Sequence, residues 1–263
     1  MSILKITNIN YKNILNNLSL NIEENKFITI SGANNSGKTT LMRIINREFP
    51  DTFDIEILGK KLNDYNTEEL ARTIQCVIPN NIYFIETNLY EEMNYNCNSN
   101  ASYIDYICKG LKIKRIVNNN YNTYNQQELI LSQLAIALSI QPKILLIDNI
   151  SPYFNKKDIE NIIIFLKEYQ KKYNITIIYT TINLEESILT DYIYIINDGK
   201  IELSGIPIEV LQKDNIINKI GLNIPFMIDL SVKLRDYDLI KEIETDKDRM
   251  VEMLWKYYLV TIN

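Results

Sequence analysis

The sequence predicts an α/β fold with a mixed, largely parallel sheet at its core, and three observations predict it. FITIS at Phe27 to Ser31 and ILLID at Ile144 to Asp148 are short apolar runs typical of buried strands. Helical patterns follow such strands along the chain, and strands that alternate with helices form parallel sheets with crossover connections. Alternating apolar positions in ILKITNINYK and LNNLSLNIEEN, near the start of the chain, predict an antiparallel pair in addition.

The other elements are predicted in chain order from the same patterns. The apolar strand IQCVI is followed by a polar region rich in Tyr and Asn, for which we expect a mostly helical insertion. A helix from about Gln126 to Ile140, the strand ILLID, a helix from Lys156 to Lys172, the strand ITIIYT, the short helix LEESIL and the strand YIYII come next. An Asn-Asp-Gly turn at Asn197 to Gly199 leads into KIEL, and the pattern from Pro207 onward is helical.

The composition excludes several classes of function. Lys and Arg total 28 against 33 Asp and Glu, and the net charge of -5 gives no electrostatic footprint for nucleic acid. The chain has no histidine, which excludes histidine-based catalysis and histidine-ligated metals. Cys76, Cys97 and Cys108 show no CxxC spacing and are predicted to be reduced structural thiols. We predict no signal peptide, and the longest apolar segment, LILSQLAIALSI, is too short to span a bilayer.

The most specific motif is GANNSGKT, which fits the GxxxxGK(S/T) phosphate loop and has the required strand before it and helix after it. In such a loop, backbone N–H groups and the helix dipole face the β-phosphate, Lys38 reaches the β- and γ-phosphates, and the Thr39 hydroxyl binds Mg²⁺. Asp148, at the end of ILLID, is predicted to bind the same ion directly or through water. The predicted nucleotide-binding residues of the loop are Gly32, Ala33, Asn34, Asn35, Ser36, Gly37, Lys38, Thr39 and Thr40. The motif therefore predicts a bound nucleoside triphosphate with Mg²⁺, and the resemblance described next implies that the nucleotide is ATP.

The loop, the strand into Asp148, the helical insertion between them and the antiparallel strands in front together resemble an ABC-type ATPase domain. The continuation, with GLNIPF at Gly221 to Phe226, is similar to that of ATPases from energy-coupling factor (ECF) transporters. The resemblance implies an ABC ATPase domain at residues 1–205, with an antiparallel β subdomain and the insertion at about 80–140. It implies a helical dimerisation extension at 206–263. It also places Tyr11 where the family stacks an aromatic ring on adenine, although a plain surface tyrosine remains the alternative.

Several positions depart from the family's pattern. Asn149 stands at the position of the catalytic glutamate, and an amide does not usefully accept a proton from water. Ile182 stands where a histidine would contact the γ-phosphate. Asn155 replaces the aspartate that communicates across the dimer, and Pro79 replaces the glutamine that links the Mg²⁺ site to the membrane subunit. Asn35 replaces a loop glycine but tolerates a positive φ better than most residues. No catalytic residue is intact, and we expect weak hydrolysis.

The family's LSGGQ signature is also altered, to YNQQE at Tyr124 to Glu128. Gln126 and Gln127 put side chains where two glycines would admit the γ-phosphate of a partner's nucleotide. The segment also matches a capping box, with Asn125 as the N-cap and Glu128 reaching back to it. A plain helix cap and a retained but weak phosphate contact are both open interpretations.

The resemblance implies an ATP-binding subunit of an ECF-type importer for a micronutrient or ion, peripheral on the cytoplasmic face of the cell membrane. Its partners would be a competent paralogous ATPase in a heterodimer, a transmembrane coupling protein and a substrate-binding membrane subunit, with no nucleic acid. A general base contributes roughly a hundred- to ten-thousand-fold in rate, so turnover would depend on the partner. The alternative is a non-transport ABC protein that uses ATP binding as a regulatory or scaffolding switch. A P-loop kinase or GTPase does not fit the insertion or the tail.

Overall fold

The computed structural model describes residues 1–79, 83–96 and 100–262, and Cys97 lies outside them. The strands are β1 (Ser2–Tyr11), β2 (Leu15–Glu23), β3 (Phe27–Ser31), β4 (Ile55–Ile57), β5 (Lys60–Lys61), β6 (Ile74–Val77), β7 (Ile144–Asp148), β8 (Thr176–Thr181), β9 (Tyr192–Asn197) and β10 (Lys200–Gly205). The α-helices are α1 (Lys38–Ile45), α2 (Thr67–Thr73), α3 (Leu89–Asn96), α4 (Ala101–Gly110), α5 (Gln126–Ser139), α6 (Lys156–Tyr173), α7 (Pro207–Leu211), α8 (Asp214–Lys219), α9 (Phe226–Asp236) and α10 (Lys247–Ile262).

A six-stranded mixed sheet forms the core, in the order β10-β9-β3-β8-β7-β6, as the sequence predicted. All its strands are parallel except β10, which pairs antiparallel with β9. Ser31 at the end of β3 is opposite Thr181 of β8, and Asp148 at the end of β7 is opposite Thr180. The carboxyl ends of β3, β7 and β8 therefore meet at one edge, which is where ligands bind in open α/β sheets.

A second, antiparallel sheet has the order β2-β1-β4-β5. The predicted antiparallel pair near the start of the chain is confirmed as β1 and β2. Strands β4 and β5 and the helix α2 were not predicted, because segments of three, two and seven residues are too short to show a clear apolar period. The inner face of this sheet packs against α1 and the six-stranded sheet in one cluster of buried apolar side chains.

The insertion after β6 is mainly helical, as predicted, with α3, α4, a 3₁₀ helix at Tyr121–Thr123 and then α5. The predicted short helix LEESIL is a 3₁₀ helix, Leu184–Leu189. Helices α7, α8 and α9 pack on one face of β9 and β10, where Val210, Ile217 and Ile228 join apolar side chains of these strands in one buried cluster. No helix among the described residues is long and apolar enough to cross a membrane.

Candidate nucleotide-binding site

The phosphate loop leaves the buried strand β3 and turns directly into α1. Gly37 precedes the helix with φ at 104°, and a Cβ there would lie 2.6 Å from Cδ2 of Leu15, so both the backbone and the space require glycine. Asn35 adopts φ of 63°, the left-handed conformation that asparagine tolerates. The loop therefore keeps its path although Asn35 replaces a glycine of the family's pattern.

The Lys38 ammonium lies buried within the loop. Its Nζ donates hydrogen bonds to the carbonyl oxygens of Gly32 and Ala33, both at 2.8 Å, and to Oγ of Ser36 at 3.2 Å. Burial lowers the pKa of Lys38, and the nearby Asp148 carboxylate opposes this shift. No side chain caps the N-terminus of α1. A desolvated cation beside an uncapped helix N-terminus is an arrangement that favours an anion, so the loop fits a phosphate.

Asp148 is buried at the end of β7 and is held by Thr180. The Oγ1 of Thr180 donates to Oδ1 of Asp148 at 2.6 Å, and the backbone N–H of Asn149 lies 3.0 Å from that same Oγ1. A carboxylate and the Thr39 hydroxyl are the oxygen donors that Mg²⁺ prefers, so these residues fit the ion. The described residues contain no cluster of three metal-ligating side chains, so phosphate oxygens and water would complete the coordination. The bound ion would neutralise charge on the phosphates.

An open depression of about 470 Å³ lies over the loop. Its lining residues are Ile14, Asn34, Asn35, Ser36, Gly37, Lys38, Thr39, Thr40, Asn149 and Ile182. Asn149, at the predicted general-base position, and Ile182, at the predicted histidine position, thus line the same depression as the loop. Neither side chain can accept a proton from water at neutral pH, so the arrangement favours binding over hydrolysis.

Tyr11 lies apart from this depression. Its ring is 9% exposed and packs on Phe49, with ring centroids 4.9 Å apart, and on Phe53, at 5.9 Å. It lines a different cavity of about 490 Å³ that contains Asp51 and Asp54 and shares no residue with the first. This placement does not support the adenine contact predicted for Tyr11, because the ring is largely buried and lies outside the depression over the loop. It is not a surface tyrosine either.

At the signature position, the structure contains the capping box. Oδ1 of Asn125 accepts from the N–H of Glu128 at 2.9 Å, and Oε2 of Glu128 accepts from the N–H of Asn125 at 3.0 Å. Gln126 donates from Nε2 to the carbonyl oxygen of Pro79 at 3.1 Å. Gln127 donates in the same way to Tyr153 at 2.6 Å. The cap that one interpretation requires is therefore present, and both glutamine amides bond to this chain's own backbone. A phosphate contact by this segment stays a prediction.

Asn155 also caps a helix. Its Oδ1 accepts from the N–H of Asp158 at 2.9 Å, and its Nδ2 donates to the Asp158 carboxylate at 2.7 Å, which fixes the start of α6. An asparagine at this place therefore has a local structural role.

A buried carboxylate that sequence reasoning missed lies behind the site. Glu186 accepts hydrogen bonds from Tyr179 at 2.5 Å, Ser151 at 2.7 Å and Asn183 at 3.1 Å. Burial and the Glu186 charge raise the pKa of Tyr179 well above its ordinary value. Ser151 lies two residues after Asn149, and Asn183 directly follows Ile182. The network therefore joins the two loops that carry the altered positions. The sequence gives one sign that Glu186 could belong to the site, which is its place just after the strand ITIIYT and the loop that carries Ile182. A glutamate in a short helix is usually solvated, so its burial is not predictable from sequence.

Comparisons with known proteins agree with this geometry. The family model described as ABC transporter matches residues 15–151. The chain is 26% identical over 242 residues to the energy-coupling factor transporter ATP-binding protein EcfA1 of Ligilactobacillus salivarius, covering 86% of this chain and 85% of that protein. It is 24% identical over 251 residues to EcfA1 of Bacillus subtilis, covering 92% of this chain and 89% of that protein.

Solved structures with the same fold include cbiO1 from Clostridium perfringens, described as part of the ABC transporter complex cbiONQ. The TM-score is 0.70 at 22% identity, over 87% of this chain and 98% of that one. The ATP-binding cassette MJ0796, in a dimeric post-hydrolysis state bound to ADP and Pi, gives a TM-score of 0.65 at 23% identity, over 78% of this chain and 98% of that one. These likenesses establish the predicted fold.

Proposed function

The chain belongs to the ABC transporter family, and on that premise we propose that it is the ATP-binding subunit of an ECF-type importer for a micronutrient or ion. The observation that carries the proposal is the phosphate loop, in which the buried Lys38 ammonium lies beside an uncapped helix N-terminus and near Asp148. The similarity to EcfA1 proteins of two bacteria supports the transporter class.

The residues needed to bind the nucleotide are present, whereas those needed to hydrolyse it are replaced. The loop from Gly32 to Thr40 would bind the phosphates, and Thr39 and Asp148 would hold Mg²⁺. Asn149 cannot act as a general base, and Ile182 offers no hydrogen bond to a γ-phosphate. The chain would therefore hold Mg-ATP and hydrolyse it slowly, and a competent paralogous ATPase in a heterodimer would provide turnover.

The membrane partners follow from the same proposal. A transmembrane coupling protein and a substrate-binding membrane subunit would hold the ATPases at the cytoplasmic face of the cell membrane. The boundary near residue 205 and the dimerisation role of residues 206–263 belong to this proposal as well. An exposed stripe on α10 supports a role in association, because Val251, Trp255 and Tyr258 follow one another at helical spacing and are 54–60% exposed.

Measurements of Mg-ATP binding and phosphate release, for this chain alone and mixed with its paralogue, test the proposal. We expect Mg-ATP to raise the melting temperature of the wild-type chain and turnover to appear only in the mixture. Lys38→Ala should abolish the thermal shift, because hydrogen bonds to charged groups contribute about 1.5–3 kcal/mol each. Lys61→Ala, on the exposed strand β5, is the matched control. Brisk hydrolysis by the isolated chain, or no binding of any nucleotide, would contradict the proposal.

One observation favours the alternative of a regulatory or scaffolding ABC protein. The chain has an amide at the base position, Asn149, and also fills the signature position with Gln126 and Gln127, so both halves of a shared site are altered. Purification from native membranes distinguishes the two functions. A transporter subunit would bring a multi-span membrane protein with it, whereas a regulatory switch would not.

A further inference from the structure

We propose that a second cavity, between α6, the 3₁₀ helix Leu184–Leu189 and the C-terminal helices α9 and α10, binds a small organic cation with an apolar body. The cavity has a volume of about 380 Å³ and shares no residue with the depression over the phosphate loop. A volume of this size is typical of small-molecule sites. Both the ligand and its place differ from those of the proposed function.

The walls of the cavity are largely apolar. Helix α6 and the 3₁₀ helix form one side, and the starts of α9 and α10 form the other. The apolar side chains that line it are Ile159, Ile163, Ile188, Leu189, Pro225 and Met227. Such walls favour a ligand with a hydrocarbon or aromatic body, because covering apolar surface is favourable in water.

Hydrogen bonds fix the turn that brings Thr245 and Asp246 to the cavity. The buried Oγ of Ser231 on α9 donates to the carbonyl oxygen of Glu244 at 2.7 Å and accepts from the N–H of Glu244 at 3.1 Å. Oε1 of Glu244 accepts from the N–H groups of Thr245 and Asp246, both at 2.8 Å. Oδ1 of Asp246 accepts from the N–H of Arg249 at 2.9 Å and so caps α10. The cavity is therefore built by the fold and does not depend on a ligand.

The cavity carries an excess of negative charge. Four carboxylates line it, those of Glu160, Glu185, Glu186 and Asp246, against the one ammonium of Lys156. Lys156 pairs with Glu185 at 2.5 Å, and this hydrogen bond and the charges of Glu185 and Glu160 raise the pKa of the lysine. The other three carboxylates have no ion-pair partner in the part of the chain that the structure describes. A cationic ligand would therefore be attracted to the cavity.

Glu186 is the strongest sign that the ligand is a cation. Its side chain is 5% exposed, and the groups that donate to its carboxylate are the hydroxyls of Tyr179 and Ser151 and the amide of Asn183. These neutral donors satisfy its hydrogen bonds and leave its charge uncompensated. A buried carboxylate without a countercharge is unfavourable, and a cation in the cavity would provide one.

The apolar walls and the carboxylates together define the ligand class. An inorganic cation would leave the walls in contact with water, and the described residues contain no cluster of acidic side chains that could hold a metal ion. A neutral molecule would leave the carboxylates without a countercharge. The class that satisfies both is an ammonium, amidinium or guanidinium group on a hydrocarbon or aromatic body.

The experiment follows the binding of three probes to the full chain by NMR titration. The probes are 3-phenylpropylammonium, the neutral 3-phenylpropanol and the anion 3-phenylpropionate, which share one apolar body and differ in charge. We expect a dissociation constant of about a millimolar for the ammonium, which has about ten non-hydrogen atoms. The alcohol should bind about fivefold more weakly, and the carboxylate more weakly still.

Two variants locate the site. Glu160→Gln combined with Asp246→Asn should weaken the ammonium about fivefold and leave the alcohol unchanged, and asparagine still caps α10. Glu168→Gln combined with Asp248→Asn is the matched control, because it removes the same charge from exposed positions on α6 and α10 outside the cavity. Met227→Lys should weaken the ammonium about tenfold or more, because it puts a fixed cation in the cavity.

Three results would overturn the inference. One is equal affinity for the ammonium and the alcohol, and another is unchanged binding in the variant with both Glu160→Gln and Asp246→Asn. The third is release of the ammonium when the paralogous ATPase is added, which would assign the cavity to a basic side chain of that partner. Lys38→Ala separates this site from the proposed function, because that variant should lose Mg-ATP and keep the ammonium. The three probes on the wild-type chain decide the matter even where a variant does not fold.

Discussion

Gln127 donates a hydrogen bond of 2.6 Å to the carbonyl oxygen of Tyr153, and so joins the start of α5 to the segment that follows β7. Gln126 makes the corresponding bond to Pro79, just after β6. Strands β6 and β7 are neighbours in the sheet. The start of α5 is therefore attached to the exits of two adjacent strands of the same chain, at the place where the family's signature would present glycines to a partner's nucleotide.

Replacing both glutamines with glycine should open the start of α5 to a phosphate. We expect Gln126→Gly combined with Gln127→Gly to raise the turnover of the proposed heterodimer about tenfold or more, because one well-placed donor to a developing charge contributes roughly a hundredfold. The isolated chain should stay slow, since Asn149 is unchanged. Phosphate release at saturating ATP measures both. Gln141→Gly, in the exposed turn after α5, is the matched control, and an unchanged heterodimer would contradict the role given to the glutamines.

Asn149→Glu should restore a general base at the cost of backbone strain. Single-turnover hydrolysis should rise by roughly a hundred- to ten-thousand-fold. Asn149 has φ of 44°, and a residue other than glycine or asparagine pays about 1–2 kcal/mol there, so the melting temperature should fall. Asn174→Glu provides a control for strain alone, because Asn174 has φ of 53° at the end of α6 and is remote from the loop. A variant as slow as the wild type would show that more than the base is missing.

The nucleotide site was predictable wherever it depends on local sequence. The phosphate loop, the apolar strand into Asp148 and the capping box at Asn125 each follow from neighbouring residues. Tyr11 was not predictable in this way, because Phe49 and Phe53, which bury its ring, are distant in sequence and follow no motif.

The burial of Glu186 was also not predictable from local sequence. Its partners are Tyr179, Ser151 and Asn183, which come from one strand and two loops that meet only in the folded chain. The outline of the sheet followed from apolar periodicity, whereas β4 and β5 were too short to carry a period.

Gly37→Ala should lower both stability and phosphate affinity. The new Cβ would meet Leu15 at 2.6 Å, and φ of 104° is unfavourable for alanine, so we expect a loss of about 1–3 kcal/mol in the free energy of unfolding. Gly59→Ala is the matched control, because Gly59 has φ of 77° with no atom near the added Cβ. Chemical denaturation measures the free energy of unfolding of both variants, and the difference between them gives the effect of the close contact with Leu15. Equal losses in the two variants would show that this contact has no effect.

Glu186→Ala should destabilise the fold by about 2–4 kcal/mol, because the buried Tyr179 hydroxyl and the half-buried Ser151 hydroxyl both lose the carboxylate to which they donate. Glu185→Ala, next in sequence, removes only an exposed ion pair with Lys156 and should cost less than about 1 kcal/mol. Denaturant titrations of the two variants give the comparison. Similar losses would mean that the buried network contributes little.

The raised pKa of Tyr179 predicts a pH dependence of stability. The hydroxyl keeps its proton in the folded chain above the value of about 10 at which an unfolded tyrosine loses it. Its contribution is therefore complete below about pH 10 and declines as the pH rises further. Tyr179→Phe should lack this part of the decline when the free energy of unfolding is followed from pH 8 to about pH 11. A parallel decline in both proteins would contradict the assignment.

Trp255→Ser should weaken association through the C-terminal extension. Trp255 is 60% exposed and stacks on Tyr258, with ring centroids 5.7 Å apart, so the two rings form one apolar surface on α10. Tryptophan is among the residues whose loss from the centre of an interface weakens binding most, so we expect the dissociation constant of the proposed dimer to rise about tenfold or more. Sedimentation velocity, with and without the paralogue, measures it. Tyr237→Ser removes an aromatic residue after α9 that is even more exposed, at 78%, and should have no effect. A weaker dimer in this control would place the interface elsewhere on the extension.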